Sequence, residues 1–383
     1  MHQIRRSYGR QEGNRKEGVP RKAALSVAAV SAMLGAGPGK TLAEERSSRG
    51  SGKKTVPKMK KIALEEHWAN QELNDLRTEW GKRTGYPITV DPKAIGYSFP
   101  RASDFEKFRL PFMDEFDIAV QVISTGSPGI QGYADAATAV TKAKQINDEQ
   151  AEIIRKYPGR FAGFAGLPTQ DPKAAADELE RAVKALGFKG AMIQGSTNWE
   201  YLDETKYWVI WERAAALEVP IYLHVQEPSF DSAKVYAGHP ELTGATWAWG
   251  VETGTHALRI INAGIFDAFP KATLILGHLG ESLPYLLGRL DEGYFMAAKS
   301  GRSLKKPLSE YIRSNVLVTT SGLYRPEALV CAINAMGEDR ILYSMDYPFV
   351  QPKASIDCFE KTPMSTKTRE KISYLNAKRW LKL

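Results

Sequence analysis

The feature that most constrains the fold is a regular alternation of short apolar runs with longer helix-like stretches from Lys61 onward. Successive runs lie tens of residues apart, as a parallel strand–helix–strand repeat requires. The predicted strands are Lys61–His67, Ile118–Thr125, Phe161–Leu167, Gly190–Gln194, Pro220–Val225, Thr273–Leu279, Val316–Ser321 and Arg340–Asp346. The helices predicted between them include Ala134–Tyr157, Pro172–Leu186, Lys206–Glu218, Glu252–Phe269 and Pro326–Met336. Eight strands with intervening helices favour an α/β fold of the (β/α)₈ type, the TIM barrel, over a doubly wound sheet.

Residues 70–110 interrupt this rhythm because they are polar and irregular. We interpret them as an insertion after the first strand that caps the mouth of the barrel. No run reaches the roughly 18 apolar residues of a membrane span, which excludes an integral membrane protein. The two cysteines, Cys331 and Cys358, exclude a disulfide scaffold and a cysteine-ligated zinc module, and we interpret both as packing residues.

The N-terminal region differs in composition from the rest of the chain. In residues 1–43, basic residues precede the small-residue apolar run Ala23–Gly37 and then Thr41-Leu42-Ala43, which is the order of an export signal. The alternative is an over-extended gene start, because Met59 directly precedes the first strand. Residues 44–60 are polar, basic and rich in Gly and Ser, which predicts a disordered linker before a barrel domain over 61–383. The protein is exported or periplasmic if the leader is a signal, and cytoplasmic otherwise.

The net charge of +8 does not indicate nucleic-acid binding. The first 61 residues carry 15 Lys and Arg against four Asp and Glu, whereas residues 62–383 carry 37 against 40. The predicted barrel is therefore slightly acidic, and it offers no basic surface for nucleic acid.

Ligand-type side chains stand at the ends of several predicted strands. Strand 1 ends with Glu65, Glu66 and His67, of which Glu65 and His67 share a face because alternate strand residues do. Other strands end at His224, His278 and Asp346. In a barrel these ends meet at one mouth. A carboxylate and two imidazoles meeting there are ligands for a divalent metal, with Asp346 as a fourth donor.

Each of these residues also has an ordinary structural interpretation. A strand-end histidine on its own is more often a hydrogen-bonded core residue, and Glu65 on its own is a rim charge. Asp346 on its own could cap the next loop through an Asx turn. Several ionisable groups buried together are costly, however, unless a metal or a pairing network compensates them. We therefore predict a metal site for the set.

The motifs that carry these residues resemble those of the amidohydrolase superfamily. They are Leu64-Glu65-Glu66-His67, Leu276–Glu281 (LGHLGE) and Ser344–Phe349 (SMDYPF), with support from Thr125–Gln131 and Val318–Gly322. Within the superfamily they resemble the metal-dependent decarboxylases related to aminocarboxymuconate-semialdehyde decarboxylase. The LEEH form is similar to the ortho-hydroxybenzoate decarboxylases, such as those acting on γ-resorcylate and 2,3-dihydroxybenzoate. The resemblance extends from about residue 60 to the C-terminus.

The resemblance implies a set of roles. The implied metal ligands are Glu65, His67, His224 and Asp346. His278 and Glu281 become a pair beside the ligands, and Asp346 is also the implied proton donor. Arg289 matches an arginine that the family places near the substrate, often from a neighbouring subunit; a helix-surface salt bridge is its alternative role. The family also suggests a homodimer or homotetramer, and one zinc or manganese ion per chain.

A single metal agrees with the residues themselves. Amidohydrolases with two metals commonly use a carboxylated lysine at the end of strand 4, whereas here Lys189 stands at the start of that strand. The resemblance implies non-oxidative decarboxylation of a hydroxylated aromatic acid, with CO₂ release. The alternatives are a mononuclear metal-dependent hydrolase of a lactone or amide, and a non-catalytic metal-binding or ligand-binding barrel. Aromatic residues near the mouth could wall the substrate or belong to the core: Trp68, Tyr97, Phe99, Trp247 and Trp249.

Overall fold

The computed structural model describes residues 59–84, 99–298, 304–349 and 352–383. The predicted export signal, almost all of the predicted linker, and Tyr97 lie outside the described residues.

The strands of the described residues form a parallel (β/α)₈ barrel, which confirms the predicted fold. They are β1 Lys61–Trp68, β2 Ile118–Thr125, β3 Phe161–Gly163, β4 Ala165–Gly166, β5 Ala191–Gln194, β6 Ile221–His224, β7 Leu274–Leu276, β8 Val316–Thr319 and β9 Ile341–Leu342. β3 pairs with β2, and β4 pairs with β5. β3 and β4 are therefore two halves of the third barrel strand, separated by Phe164. The pairing then continues in parallel from β4 to β9.

Side chains contribute to the closure of the barrel between β9 and β1. The Glu65 amide donates to Ser344 Oγ over 2.8 Å, and the His67 amide donates to the Tyr347 carbonyl over 2.6 Å. Both acceptors lie beyond the end of β9. Loop residues after the last strand therefore hold the mouth side of the first strand.

The helices surround the barrel. They are Gln71–Thr84, Phe99–Ser103, Leu110–Glu115, Ala136–Lys156, Pro172–Leu186, Trp208–Leu217, Phe230–Ala233, Ala248–Asn262, Ile265–Ala268, Leu283–Ala298, Leu308–Asn315, Pro326–Met336, Pro352–Lys361, Thr366–Glu370 and Asn376–Trp380, with π-helical turns at Phe105–Arg109 and Lys371–Leu375. Helix Pro172–Leu186 shows why boundaries are predictable. Asp171 accepts a bond from the Ala174 amide, Pro172 occupies the first turn, and Gly187 ends the helix at φ 77°. No helix of the described residues is long and apolar enough to cross a membrane.

Two segments differ from the sequence prediction. The predicted helix Glu252–Phe269 is two helices, because Gly264 adopts φ 85° between Asn262 and Ile265. The insertion after β1 is helical in its described parts, because Leu73 and Leu76 lie one turn apart and both are buried. The insertion lies on the carboxyl side of the barrel, where Arg83 Nη2 donates to the carbonyl of Gly132 over 2.7 Å.

A β-bulge in β1 decides which side chains enter the barrel. Ala63 pairs with Gln121 and Glu66 with Ile123, so two residues of β1, Leu64 and Glu65, lie opposite Val122 alone. Leu64 packs in the barrel interior with Tyr222, Ile275 and Leu317. Strict alternation from Leu64 would turn Glu66 inward. The bulge turns Glu65 inward instead, since an extra residue reverses the faces that follow it.

Candidate metal centre and active site

Four predicted ligands meet at the carboxyl end of the barrel. One atom from each of Glu65, His67, His224 and Asp346 lies within 4.8 Å of all the others. His67 Nε2 is 3.1 Å from His224 Nε2 and 3.4 Å from Asp346 Oδ1, and His224 Nε2 is 3.3 Å from Glu65 Oε1.

These separations fit one bound divalent ion. Ligand atoms each about 2.1 Å from a common metal lie about 3.0–3.5 Å apart in tetrahedral or octahedral arrangements. Glu65 Oε1 is buried and accepts no hydrogen bond, and its neighbours are the Nε2 atoms of His224 at 3.3 Å and His278 at 3.5 Å. A buried carboxylate oxygen without hydrogen bonds needs nearby positive charge, which a bound cation supplies. The donor set therefore fits a single divalent ion, with Glu65 Oε1 directed at it.

The protein groups beside both histidines set their orientation. His224 Nδ1 lies 3.1 Å from the carbonyl of Val225, so Nδ1 carries the proton and Nε2 keeps its lone pair. His67 Nδ1 lies 3.3 Å from Ser124 Oγ. Both rings thus present Nε2 to the centre.

The second oxygen of Glu65 is held by hydroxyl groups that sequence analysis missed. Ser321 and Thr319 both donate to Glu65 Oε2, and Thr319 Oγ1 lies 2.9 Å from the hydroxyl of Tyr222. The segment Val318–Gly322 carried the family resemblance without any assigned role. An oxygen held by hydroxyl groups leaves Oε1 as the free ligand atom. Oε1 is therefore the oxygen with which Glu65 would hold a metal.

His278 and Glu281 lie on a left-handed turn rather than on a strand. β7 ends at Leu276, and five consecutive residues, 278–282, adopt φ between 47° and 77°. The turn brings His278 Nδ1 to 2.5 Å from Glu281 Oε1 and directs Nε2 to 3.5 Å from Glu65 Oε1. Left-handed conformations cost about 1–2 kcal/mol per non-glycine residue, and such strain concentrates at functional sites.

Asp346 also lies beyond its predicted strand. β9 ends at Leu342, and Asp346 follows four residues later with φ 64°. The strands predicted to end at His278 and Asp346 are therefore shorter than predicted. Irregular backbone carries both side chains to the centre.

The protonation of the site follows from its burial and its charges. Burial raises the pKa of Asp346 to about 8, helped by the negative charge of Glu65. Burial alone would lower the pKa of His278, but Glu65, Glu281 and Asp346 outweigh it and raise this pKa to about 10. Burial lowers the pKa of His67 to about 4, so this ring is neutral and able to bind metal near neutral pH. In the absence of metal, the site thus holds a protonated histidine beside a carboxyl group that gains a proton near neutral pH.

Gln194 is a further buried polar residue, at the end of β5, that sequence analysis did not assign. It pairs with His224 in the β5–β6 ladder, so its side chain extends from the same face of the sheet as that ligand. Its Nε2 donates to the Thr125 carbonyl over 2.7 Å, which fixes the amide orientation, and its buried Oε1 has no hydrogen-bond partner. A buried acceptor is therefore available on the strand that pairs with the strand of His224.

Other candidate residues lie elsewhere. Arg289 is 82% exposed, and its Nη1 lies 3.5 Å from Glu292 Oε2, so within one chain it is a surface residue. Lys189 donates to the carbonyl of Lys382, away from the metal centre.

Trp68 is core, with its indole N–H bonded to Gln150 over 2.6 Å. Trp247 is exposed, whereas Phe99 and Trp249 are half-buried. Both cysteines are free, and Cys358 is buried.

The family model described as "Amidohydrolase" matches residues 69–383. The chain belongs to the amidohydrolase family. This membership confirms the resemblance seen in the strand-end motifs.

Members of the amidohydrolase family with assigned activities are similar to this chain over nearly their whole length. The γ-resorcylate decarboxylase of Polaromonas sp. (strain JS666) is 41% identical over 331 residues, which cover 84% of this chain and 98% of that protein. The crystal structure of the dihydroxybenzoic acid decarboxylase from Polaromonas sp. JS666, with bound manganese and the inhibitor 2-nitroresorcinol, has a TM-score of 0.77. It is 40% identical and covers 85% of this chain and 97% of its own. A 2,6-dihydroxybenzoate decarboxylase in complex with 2,6-dihydroxybenzoate has a TM-score of 0.76 and 37% identity, and covers 85% and 99%.

Proposed function

We propose that this protein is a manganese-dependent decarboxylase of 2,6-dihydroxybenzoate or a closely related ortho-hydroxybenzoate. The general activity, metal-dependent non-oxidative decarboxylation of a hydroxylated aromatic acid, is that of its relatives. The observation that carries the proposal is the group of four ligand atoms, among which Glu65 Oε1 is buried without a hydrogen bond. Manganese is proposed because the similar dihydroxybenzoic acid decarboxylase structure contains it.

Held by Glu65, His67, His224 and Asp346, a divalent ion would supply Lewis-acid chemistry to the carboxylate and the adjacent phenolic oxygen of the substrate. An ionised ortho-hydroxyl pushes electron density into the ring. Asp346 then delivers a proton to the ring carbon that bears the carboxylate, which interrupts aromaticity and makes CO₂ a good leaving group. Asp346 is suited to this step by its place at the centre, 3.4 Å from His67 Nε2, and by its burial, which in the metal-free site raises its pKa to about 8.

His278 and Glu281 influence this proton transfer through their charge and their position. The bond from His278 Nδ1 to Glu281 holds the ring, and its Nε2 faces Glu65. A positive imidazolium there balances the carboxylates of Glu65 and Asp346 as the substrate carboxylate enters. The pair therefore sets the protonation and the position of Asp346.

Gln194 supports a substrate with a second hydroxyl beside the carboxylate. Its buried Oε1 has no partner in the described residues, and its Nε2 is already committed to Thr125. A hydroxyl donor on the substrate satisfies this oxygen, whereas a substrate without that hydroxyl leaves it unpaired at a cost of about 1–3 kcal/mol. This favours 2,6-dihydroxybenzoate over salicylate.

We also propose that a second copy of the chain contributes a residue to the active site. Arg289 lies on helix Leu283–Ala298, where Tyr285, Phe295 and Met296 are also exposed, at 80%, 59% and 68%. Exposed apolar residues beside a cation are typical of an interface between subunits. We propose that a homodimer, or a homotetramer built from it, places Arg289 at the substrate of the neighbouring subunit.

We also propose that the protein is exported and that residues 1–43 are removed as its signal. N-terminal sequencing of the mature protein tests it: a start near Glu44 supports export, and a start at Met1 or Met59 refutes it.

The activity is tested by measuring CO₂ release from 2,6- and 2,3-dihydroxybenzoate, salicylate and 5-carboxyvanillate, together with bound manganese per chain. We expect about one ion per chain, with the fastest turnover on 2,6-dihydroxybenzoate. Asp346→Asn should abolish release. Gln194→Leu should lose most of the preference for 2,6-dihydroxybenzoate over salicylate, because it removes the acceptor. Bound metal with no CO₂ release from any substrate would refute the decarboxylase and favour the hydrolase alternative, and absence of metal would refute both.

A further inference from the structure

Arg109 is a fully buried cation beside the metal centre to which the proposed reaction assigns no role. It ends the π-helical turn Phe105–Arg109 of the insertion, and its side chain is 0% exposed. Its guanidinium carbon lies 4.4 Å from the ring centroid of Tyr347 and 4.9 Å from that of Phe105. Burying a cation is costly unless its donors are used and its charge is compensated. The contacts of Arg109 therefore show which groups its buried guanidinium holds in place.

Its donors begin a chain of hydrogen bonds that runs from the backbone of His67 to that of the residue before Asp346. Nη2 donates directly to the carbonyl of His67, and Nη1 donates to Gln121 Oε1 over 3.0 Å. Gln121 Nε2 donates to Glu66 Oε2 over 2.9 Å, and Glu66 Oε1 accepts the amide of Met345 over 2.9 Å. One continuous chain of hydrogen bonds thus joins the backbone of His67 to the residue before Asp346. Tyr347, the residue after Asp346, lies under the guanidinium.

We propose that Arg109 is a positioning residue, which holds His67 and Asp346 at the separation that metal binding requires. The proposal rests on the proposed function only in taking these two residues as metal ligands. It also gives a role to Glu66, which the bulge turns away from the barrel interior. Glu66 Oε1 accepts the amide of Met345 in the segment that follows β9.

The closure between β1 and β9 has a particular need for such a connection. Asp346 lies four residues beyond the end of β9, so no ladder pairing fixes its backbone. Metal–ligand distances tolerate errors of only about 0.2 Å. The connection through Arg109 and Gln121, together with the bond from the His67 amide to Tyr347, fixes both sides of Asp346 to β1.

Metal affinity separates a positioning role from a purely structural one. We would compare Arg109→Lys, Arg109→Gln and Gln121→Leu with the wild-type full-length protein, after removing and restoring metal. The readouts are the Kd for Mn²⁺ per folded molecule by equilibrium dialysis, the Mn²⁺ EPR spectrum, and Tm. Arg181→Gln is the matched control, because Arg181 makes structural ion pairs, at 2.7 Å with the buried Glu178 of its own helix and at 2.7 Å with Asp148 of helix Ala136–Lys156.

We expect the Arg109 variants to raise the Kd for Mn²⁺ by about 10- to 100-fold, as does loss of other groups that orient metal ligands. Their EPR spectra should change. Arg109→Lys should recover only part of the affinity, since an ammonium cannot bond His67 and Gln121 in the fixed fork of a guanidinium. Arg181→Gln should lower Tm while leaving the Kd at the wild-type value.

If the Arg109 variants do not fold, Gln121→Leu decides the matter, because it breaks the same chain and keeps the cation. Wild-type Kd and EPR spectra in every variant that folds would overturn the positioning role, even where Tm falls. Failure of the wild-type protein to bind Mn²⁺ would overturn both the metal-dependent function and the positioning role. A wild-type protein that binds Mn²⁺, with variants of unchanged affinity, would overturn the positioning role alone.

Discussion

Gly322→Ala tests whether the position of His278 matters to the reaction. Gly322 has φ 76°, and a Cβ placed on it would lie 2.3 Å from His278 Cδ2. Carbon atoms in contact lie about 3.5 Å apart, so the imidazole has to move by about 1.2 Å. The His278–Glu281 bond is 2.5 Å long, and it does not survive such a displacement unchanged.

A misplacement of about 1 Å near the chemistry can cost about 10²-fold in rate, so we expect kcat to fall by about two orders of magnitude. The alanine also costs about 1–2 kcal/mol of stability, because its Cβ is disfavoured in the left-handed region. Bound manganese should remain at the wild-type amount, since the three atoms nearest the new methyl group all belong to His278, which is not one of the four ligands.

Gly187→Ala is the matched control. Gly187 has φ 77°, and a Cβ there meets no atom within 4 Å, so only the backbone cost of about 1–2 kcal/mol remains. The assay is kcat for CO₂ release at saturating substrate and manganese, with urea unfolding of both variants. A kcat for Gly322→Ala within about threefold of the Gly187→Ala value would refute the argument that His278 must be held to better than 1 Å.

Three further predictions concern the metal and the buried polar groups. Removal of metal with a chelator should abolish CO₂ release, and Mn²⁺ at about 100 times its Kd should restore it and stabilise the fold by about 2.7 kcal/mol in urea titrations. Ser321→Ala should raise the Kd for Mn²⁺ by about 10- to 100-fold, because it takes a donor from Glu65 Oε2; an unchanged Kd would contradict that role. Burial lowers the pKa of His256 to about 3, and the neutral ring accepts the Leu202 amide over 2.8 Å. Its contribution to stability is therefore complete above about pH 6.5 and is lost as the pH falls towards 3, by up to about 1.4 kcal/mol per pH unit. His256→Gln keeps an acceptor that does not titrate, so its metal-free form should lose less stability than the wild type between pH 8 and pH 5; equal losses would contradict this.

The strand–helix alternation was sufficient to predict the barrel and most of its boundaries. Pro172 and Gly187 punctuate their helix in the sequence itself, so its ends could be predicted. The break at Gly264 could not, because a glycine inside an apolar helical pattern is tolerated as often as it ends a helix.

The site was predicted to a similar degree. All four predicted ligands meet, because parallel strands bring their carboxyl ends to one edge whatever their separation along the chain. The hydroxyl groups of Thr319 and Ser321 and the amide of Gln194 were missed, since serine, threonine and glutamine carry no distinctive signal until their neighbours are known.

The sequence by itself determined the chemistry of the protein: which residues can bind a metal, and at which end of the barrel they lie. Tertiary structure alone decided how the side chains of these residues are oriented. The bulge at Leu64–Glu65, the left-handed turn from His278, and the chain of bonds through Arg109 all depend on contacts with residues distant in sequence. Such local departures from regular geometry are unfavourable in an isolated segment. They persist because the surrounding strands, helices and buried hydrogen bonds leave these residues no alternative.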